Sequence, residues 1–203
     1  NIMKKLFLLL FLGFTLVGFS QTTLIPDPNF EQGLIDLGYD TAPINGSVPT
    51  ANISNVISLE VGYRNIADLT GIEDFTDLTI LSCDNNQLTS IDFSNNLGLT
   101  ELRIFNNQLT SLDVSANLAL QTLTCQSIDV SNNTTLEVLI CENNQLKSLD
   151  VTNNNALTNF NFSYNQLTSI DVSNNIALSG LFFYNNQLTS IDVTNNDALI
   201  YLY

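Results

Sequence analysis

Apolar and polar positions alternate along most of this chain with a regularity that repeats over long distances. In residues 78–98, two short runs carry apolar side chains at every second position, and each run is followed by an asparagine-rich segment. The pattern returns with a step of 21 residues, and one copy has only 16 residues. The copies begin at Leu78, Leu99, Leu120 (the short one), Leu136, Leu157, Leu178 and, in part, Leu199. A fixed period of this length predicts a solenoid.

Each repeat contains the same half-pattern twice. The alternation of Leu81 and Cys83, and then of Ile91 and Phe93, predicts one short strand in each half with a single face turned inward. Asn-Asn-Gln and Ser-Asn-Asn between the halves favour turns. One coil cannot bury its own apolar face, whereas stacked coils form a continuous core. We therefore expect a stack of short parallel strands with turn-rich connections.

Asparagines recur at the two turns of every repeat. They form two columns: Asn86, Asn107, Asn144, Asn165 and Asn186 at the first turn, and Asn96, Asn117, Asn133, Asn154, Asn175 and Asn196 at the second. We predict that these side chains point inward and hydrogen-bond backbone groups that the turns leave open, because such groups are costly when unpaired.

The repeat carries L-x-x-L-x-L-x-x-N-x-L twice within 21 residues. In this nesting the chain resembles the 21-residue class of secreted bacterial leucine-rich repeat proteins and is internalin-like. The resemblance covers about residues 56–203, although the first coil looks more like the 22-residue internalin repeat. It implies a leucine-rich repeat solenoid that binds protein partners on its sheet face, as in bacterial adhesion to other cells.

The chain divides into three predicted segments. Residues 1–20 have two lysines, an apolar run and small residues before Gln21, which is typical of a signal peptide. Residues 21–55 form an N-terminal cap, with a short helix that starts at Asp27-Pro28 and stops at Gly38. Residues 56–203 form the solenoid, which we expect to be truncated because no polar terminal cap follows the last coil. The short coil predicts a distortion near Gln126.

Charge and composition exclude several functions. After loss of residues 1–20, three basic residues remain against 20 acidic ones, so nucleic acid and anionic membranes are poor partners. The chain has no histidine, which removes Ser-His-Asp catalysis and most zinc sites. We predict a secreted, extracellular or cell-surface protein that is not an enzyme and needs no cofactor.

Three cysteines occupy inward strand positions where other coils have Ile or Phe. We interpret Cys83, Cys125 and Cys141 as buried free thiols. The alternative is a disulfide between Cys125 and Cys141 on neighbouring strands, whose side chains point the same way and fit the required dihedral angle poorly.

The outward positions of the second half-repeat hardly change. They form a ladder of carboxylates flanked by Ser or Thr: Asp92, Asp113, Asp129, Asp150, Asp171 and Asp192. One interpretation is local hydrogen bonding between hydroxyls and carboxylates. The other is a weak cation ladder, for which loose ion condensation is favoured over a specific calcium site, because calcium usually takes six to eight ligands.

The outward positions of the first half-repeat vary freely and include aromatic residues. We predict that they bind a protein partner or a surface glycan, because exposed apolar clusters mark interaction sites, and aromatic residues and arginine are common anchors. The candidate residues are Arg103, Phe105, Ile140, Phe182, Tyr184 and Tyr201. Scattered exposed apolar residues also occur without a function. The alternative function is a non-binding spacer that presents a downstream domain missing from this chain.

Overall fold

The structure is a computed structural model, and it describes residues 21–109, 111–125 and 129–203. The predicted signal peptide and the distortion expected near Gln126 lie outside these residues. The cap contains β1 (Thr22–Leu24), α1 (Pro28–Asp36), β2 (Ser47–Pro49) and α2 (Thr50–Ile53). The solenoid strands are β3 (Ser58–Glu60), β4 (Ile80–Ser82), β5 (Glu101–Arg103), β6 (Thr122–Thr124), β7 (Val138–Ile140), β8 (Asn159–Asn161), β9 (Gly180–Phe182) and β10 (Tyr201–Leu202). A 3-10 turn, Ile72–Asp74, lies in the first coil.

Helix α1 begins and ends as its sequence predicts. Asp27 is the N-cap, and one of its carboxylate oxygens accepts the amides of Asn29 and Phe30. The other oxygen accepts the amides of Ala67 and Asp68 in the first coil, at 2.7 and 3.0 Å. Gly38 follows the helix with a φ of +82°, a conformation that glycine adopts without strain. A single buried carboxylate thus both starts the helix and attaches it to the solenoid.

Strands β3 to β10 form one parallel sheet in sequence order, while β1 and β2 pair antiparallel in the cap. The parallel register places the inward residue of each strand opposite that of the next, as for Leu81, Leu102 and Leu123. The side chains of this column are buried from Leu59 to Leu181, and those of the next inward column are buried from Val61 to Phe162. Leu202 and Phe183, in the last two coils, are partly exposed. The predicted leucine-rich repeat solenoid of stacked short parallel strands, with a short capping helix, is therefore confirmed. The segment boundaries at residues 20 and 55 stay predictions.

The prediction of a second strand in each repeat is wrong for the described residues. Residues around Ile91 and Phe93, and their equivalents in later coils, face inward but pair with no neighbouring strand. The reason is local competition for backbone groups: Asp92 accepts the amide of Ser94, and Asn117 donates to the carbonyl of Phe93. Side chains thus take hydrogen bonds that a second ladder would need.

The asparagines of the two columns are buried, except for Asn144 and Asn186, which are partly exposed, and they bond the backbone from coil to coil. In the first column, Asn107 donates to the carbonyls of Cys83 and Ile104, and its own oxygen accepts the amide of Leu88. In the second, Asn154 donates to the carbonyls of Val130 and Asn133, at 2.9 and 2.8 Å. Each second-column asparagine donates in the same way to the coil before it. The predicted structural role of the asparagines is confirmed.

The second column uses its amides only as donors. The side-chain oxygens of its six members are buried without a hydrogen-bond partner: Asn96, Asn117, Asn133, Asn154, Asn175 and Asn196. An unpaired buried oxygen is unfavourable. Each of these asparagines is therefore held in place by the two backbone carbonyls to which its NH₂ group donates. The position requires a side chain that can donate hydrogen bonds.

This requirement predicts the effect of replacing Asn154. Asn154→Ala should lower the free energy of unfolding by about 1–3 kcal/mol, because two buried carbonyls lose their partner. Asn154→Asp should cost more at pH 7, because a carboxylate would face carbonyl oxygens. Burial would raise the folded-state pKa of that carboxyl, so its deficit relative to the parent should shrink as the pH falls towards about 4, the unfolded value.

Urea denaturation at pH 7 and pH 4 measures the free energy of unfolding of the parent and the variants. Asn155→Ala is the control, because Asn155 is exposed and the substitution should change little. An Asn154→Asp variant as stable as the parent at pH 7 would show that the position does not select a donor.

The three cysteines lie in the described part of the chain and are buried, and the structure shows them as free thiols. Burial raises the pKa of each thiol, and for Cys141 to about 12. Cys125 and Cys141 directly follow the neighbouring strands β6 and β7, and the amide of Cys125 donates to the carbonyl of Ile140. Such thiols are protonated and shielded, so they are poor nucleophiles.

We therefore predict that thiol reagents do not label the folded chain at pH 8 and label three thiols in denaturant without reductant. Only the thiolate reacts, and these thiols form little of it while buried. Cys83→Ser should reduce the count to two. A count of one in the parent and none in Cys83→Ser would show that Cys125 and Cys141 form a disulfide.

Candidate functional site

The outward side chains of β4 to β9 and of the residue two positions beyond each strand form one surface, here called the sheet face. The strand register aligns its central column, which reads Ser82, Arg103, Thr124, Ile140, Asn161 and Phe182. Side-chain size and polarity change at every step, and one member, Arg103, is charged. Since the core beneath is uniform, this variation is a property of the surface alone.

Charged groups on the sheet face are paired within it. Arg103 forms an ion pair with Glu101 on the same strand, and its side chain is 52% exposed. Glu142 accepts a hydrogen bond from the Asn161 amide at 2.9 Å and remains exposed. The candidate residue Arg103 is therefore accessible and held in position by its neighbour.

The apolar candidates of the sheet face are less exposed than the sequence suggests. Phe105, Ile140 and Phe182 are half-buried. Phe182 lies over Gly180, where an added Cβ would come within 3.0 Å of the Phe182 ring. Phe182 occupies the outward column, but the glycine two residues earlier lets its ring lie against the sheet, which reduces its exposure.

An aromatic cluster lies at the β9–β10 end of the sheet face. The ring of Tyr203 stacks on Phe182, with centroids 5.7 Å apart and planes 11° apart, and on Tyr184, with centroids 6.1 Å apart. Tyr184 and Tyr203 are about half exposed, at 48% and 52%. Because three neighbouring aromatic rings remain accessible, this cluster is the largest aromatic feature of the described sheet face.

The candidate residue Tyr201 lies outside this cluster, because it pairs in register with Gly180 and therefore belongs to another column. Tyr203 was missed, although it lies 21 residues after Phe182 and the repeat period identifies it. Tyr201 is also exposed, at 52%, but it contributes to none of the ring pairs.

The column that follows the strands is partly closed to solvent, contrary to expectation. Asp84 is 7% exposed, and its carboxylate accepts hydrogen bonds from the Ser82 hydroxyl and the Asn85 amide. Ser163 is 2% exposed. The Asp84 carboxylate is satisfied by its neighbours, whereas the Ser163 hydroxyl is buried without a hydrogen-bond partner. The accessible groups of this column among the described residues are therefore Phe105, Glu142 and Tyr184.

The acidic ladder lies on another side of the solenoid, and all six carboxylates are exposed. Each accepts the amide of the residue two positions later, as Asp150 does from Thr152 at 2.9 Å, and the Thr152 hydroxyl donates to the same oxygen. These hydrogen bonds hold the pKa of each ladder carboxyl below its usual value. Desolvation opposes this lowering of the pKa at all six, and neighbouring carboxylates oppose it further at Asp92, Asp129 and Asp171. The predicted local bonding is confirmed, and the ladder is fully ionised at neutral pH.

No group of three or more acidic or cysteine side chains converges to hold a metal ion in residues 21–109, 111–125 and 129–203. Within the same residues, no helix is long and apolar enough to cross a membrane.

Structural comparison relates the chain to leucine-rich repeat proteins of Listeria monocytogenes and Leptospira interrogans. The functional domain of InlJ from Listeria monocytogenes, described as including a cysteine ladder, matches with a TM-score of 0.71 and 31% identity over 90% of this chain. Internalin C2 of the same species matches with a TM-score of 0.64 and 20% identity, over 90% of this chain and 97% of its own. A leucine-rich repeat protein of Leptospira interrogans matches with a TM-score of 0.60 and 23% identity, over 64% of this chain and 37% of its own.

The chain spans 47% of the InlJ domain, about half its length. The two matches below 25% identity show the fold alone. No protein-family profile and no curated protein sequence matches the chain. The stacked coils with their 21-residue step and the similarity to InlJ lead to one conclusion: this chain is a leucine-rich repeat protein with an internalin-like solenoid.

Proposed function

We propose that this chain is a secreted or cell-surface binding module that engages a protein partner through the sheet face. The single observation that carries the proposal is the contrast between two sides of the same coils. On the ladder side, every Asp repeats the same bond to its own coil. On the sheet face, neighbouring coils present unlike side chains, and the half-buried ring of Phe182 and the exposed ring of Tyr184 both stack on the exposed ring of Tyr203.

The chemistry of the sheet face suits a protein surface. Exposed aromatic rings and a fixed arginine are the residue types that carry most binding energy in protein interfaces. The chain has a net charge of −15, which favours partners with a neutral or basic surface. The proposal requires no catalytic group and no cofactor. A surface glycan remains the competing occupant for the aromatic cluster.

The first test compares the two sides with matched triple variants. Arg103→Ser with Tyr184→Ser and Tyr203→Ser should weaken binding of the labelled chain to intact cells at least tenfold, because exposed anchors are removed from the sheet face. It should leave the melting temperature within a few degrees, because these side chains are about half exposed. The control Asp113→Asn, Asp150→Asn and Asp171→Asn should bind as the parent does. Leu181→Ala, which removes a buried side chain, calibrates the stability assay with an expected loss of about 2–5 kcal/mol.

Flow cytometry across bacterial and eukaryotic cells measures binding, and pretreatment identifies the partner class. Protease should abolish binding to a protein, whereas periodate should abolish binding to a glycan. If only the acidic-side variant loses binding, the faces are assigned the wrong way round. If no cell type binds the parent chain, the spacer function is favoured instead.

We also infer that the acidic ladder collects divalent cations weakly and without fixed stoichiometry. Its carboxylates are ionised and adjacent, but each already accepts bonds from its own coil, and calcium prefers a closed shell of six to eight oxygens. Calorimetric titration with calcium should give a shallow binding isotherm. The heat of binding should decrease as the salt concentration is raised, because salt screens the carboxylates.

Asp150→Asn with Asp171→Asn should reduce the heat of this titration. Glu60→Gln with Glu137→Gln removes two exposed charges away from the ladder and should reduce it less. One saturating site with unit stoichiometry would contradict the interpretation as a loose ion layer.

A further inference from the structure

One turn position adopts the same left-handed backbone conformation in every full 21-residue coil. It directly precedes the first-column asparagine, and its φ lies between +50° and +58°. Asparagine tolerates a positive φ, whereas a bulky side chain adopts it at a cost in free energy. Tyr164 is the exception in this series, which reads Asn85, Asn106, Asn143, Tyr164 and Asn185. The turn itself therefore does not favour the tyrosine.

The ring of Tyr164 contributes little to the packing of the chain. It is 51% exposed, and it belongs to none of the aromatic ring pairs among the residues that the structure describes. Unfavourable backbone conformations cluster at positions that bind ligands. The surroundings of Tyr164 indicate what it would bind.

Tyr164 adds a third coil to the aromatic surface of the C-terminal end. Its amide donates to the carbonyl of Tyr184 at 2.6 Å, so the two residues are neighbours on adjacent coils. Tyr184 stacks on Tyr203 of the following coil, whereas Tyr164 belongs to the preceding one. One face of the Tyr184 ring is thus taken, and its other face lies on the side of Tyr164. Because Tyr164 and Tyr184 do not stack on each other, both rings offer a face to an occupant.

The charges around these rings are negative. Residues 148–203 contain four aspartates and no basic residue. Glu142, in the coil before Tyr164, is exposed, and the hydrogen bond from Asn161 engages only its Oε2 atom. Arg103 lies three strands from Asn161 in register and is paired with Glu101. Aromatic faces are themselves electron-rich, so the rings and the carboxylates favour the same occupant, a cation.

We propose that Tyr164 and Tyr184 bind an arginine side chain of a protein partner, with its guanidinium group against the two ring faces. The inference rests on the proposed function, because it names the chemistry of one contact at the edge of the sheet face. Arginine is favoured over lysine, because its planar group stacks on aromatic rings and is more weakly hydrated. A neutral glycan also lies flat on tyrosine rings, but it gains nothing from the surrounding carboxylates.

Three tripeptides that differ only in their central residue test the contact directly. They are N-acetyl-Gly-X-Gly-amides in which X is arginine, lysine or citrulline, which is the neutral isostere of arginine. Each is titrated into the chain, and the ring signals of Tyr164 and Tyr184 are followed by NMR. The arginine peptide should bind about two- to fivefold more tightly than the citrulline peptide, the range for an exposed cation–π contact, with lysine between them. Maltohexaose, a neutral oligosaccharide, should give no saturable shift.

Matched variants separate the contact from the general attraction of an acidic chain for cations. Tyr164→Asn should remove most of the preference for arginine over lysine, whereas Tyr164→Phe, which retains a ring, should preserve it. Tyr63→Asn makes the same change at a positive φ in the first coil, next to Arg64, and should also preserve it. Tyr164→Asn should melt no lower than the parent, because relief of the backbone offsets the loss of a half-exposed ring.

Four results would overturn the inference. They are absence of saturable shifts with the arginine peptide, saturable shifts with maltohexaose alone, and an unchanged preference for arginine over lysine in Tyr164→Asn. The fourth is a fall in the melting temperature of Tyr164→Asn beyond that of Tyr63→Asn, which would show that the ring is needed for packing.

Cell binding then distinguishes this inference from the broader proposal. Tyr164→Asn should weaken binding to cells, whereas Tyr63→Asn should not. If Tyr184→Ser with Tyr203→Ser weakens cell binding while Tyr164→Asn does not, the proposed function stands and the arginine contact is refuted. If the peptides bind as expected but no cell type binds the parent chain, the arginine preference stands and the proposed function fails.

Discussion

The structure depends on how the backbone groups at the turns are satisfied. A three-residue strand pairs few carbonyls before the chain leaves the sheet, and each carbonyl buried beyond it would be costly without a donor. Buried asparagines supply that donor, and each reaches back to the preceding coil, as Asn154 does to Val130 and Asn133. Every coil is therefore completed by the next one. The stability of the stack therefore comes from interactions between neighbouring coils, as expected for a solenoid.

This dependence explains why two sides of the molecule differ so much. On the ladder side, Asp carboxylates and asparagine amides take up the backbone groups, so the same residue types are needed in every coil. On the sheet face, hydrogen bonds between the strands satisfy the backbone amides and carbonyls. The outward side chains are therefore not needed to hydrogen-bond the backbone. The sequence is free to vary there, and a binding surface can be built without weakening the stack.

The fold could be predicted because its causes are periodic. A 21-residue step, inward apolar columns and the Asp27-Pro28 helix start are all visible along the chain. The second half-repeat could not be assigned in the same way, because alternation shows which side chains face inward but not whether a backbone amide bonds a strand or a carboxylate. In the structure, the carboxylates of Asp92 and its equivalents accept the backbone amide two residues later, so that amide does not pair with a neighbouring strand.

The candidate site was predictable only in part, for reasons that differ from residue to residue. Tyr203 follows from counting 21 residues on from Phe182, so the period alone would have found it. The half-burial of Phe182 could not be inferred, because it depends on a ring folding back over Gly180. The burial of Asp84 was equally hidden, since Ser82 and Asn85 enclose it through side-chain contacts.

Departures from the repeat concentrate where recognition is expected. A perfect repeat presents the same surface in each coil. A ligand could therefore shift by one coil with little change in binding free energy. The sequence contains one shortened coil, and the Phe182–Tyr203–Tyr184 stack occurs once among the described residues of the sheet face. Two unlike features at a fixed distance define a single register for a partner that touches both. Specificity in such a molecule comes from its irregular positions, while the regular ones keep those positions at a constant spacing.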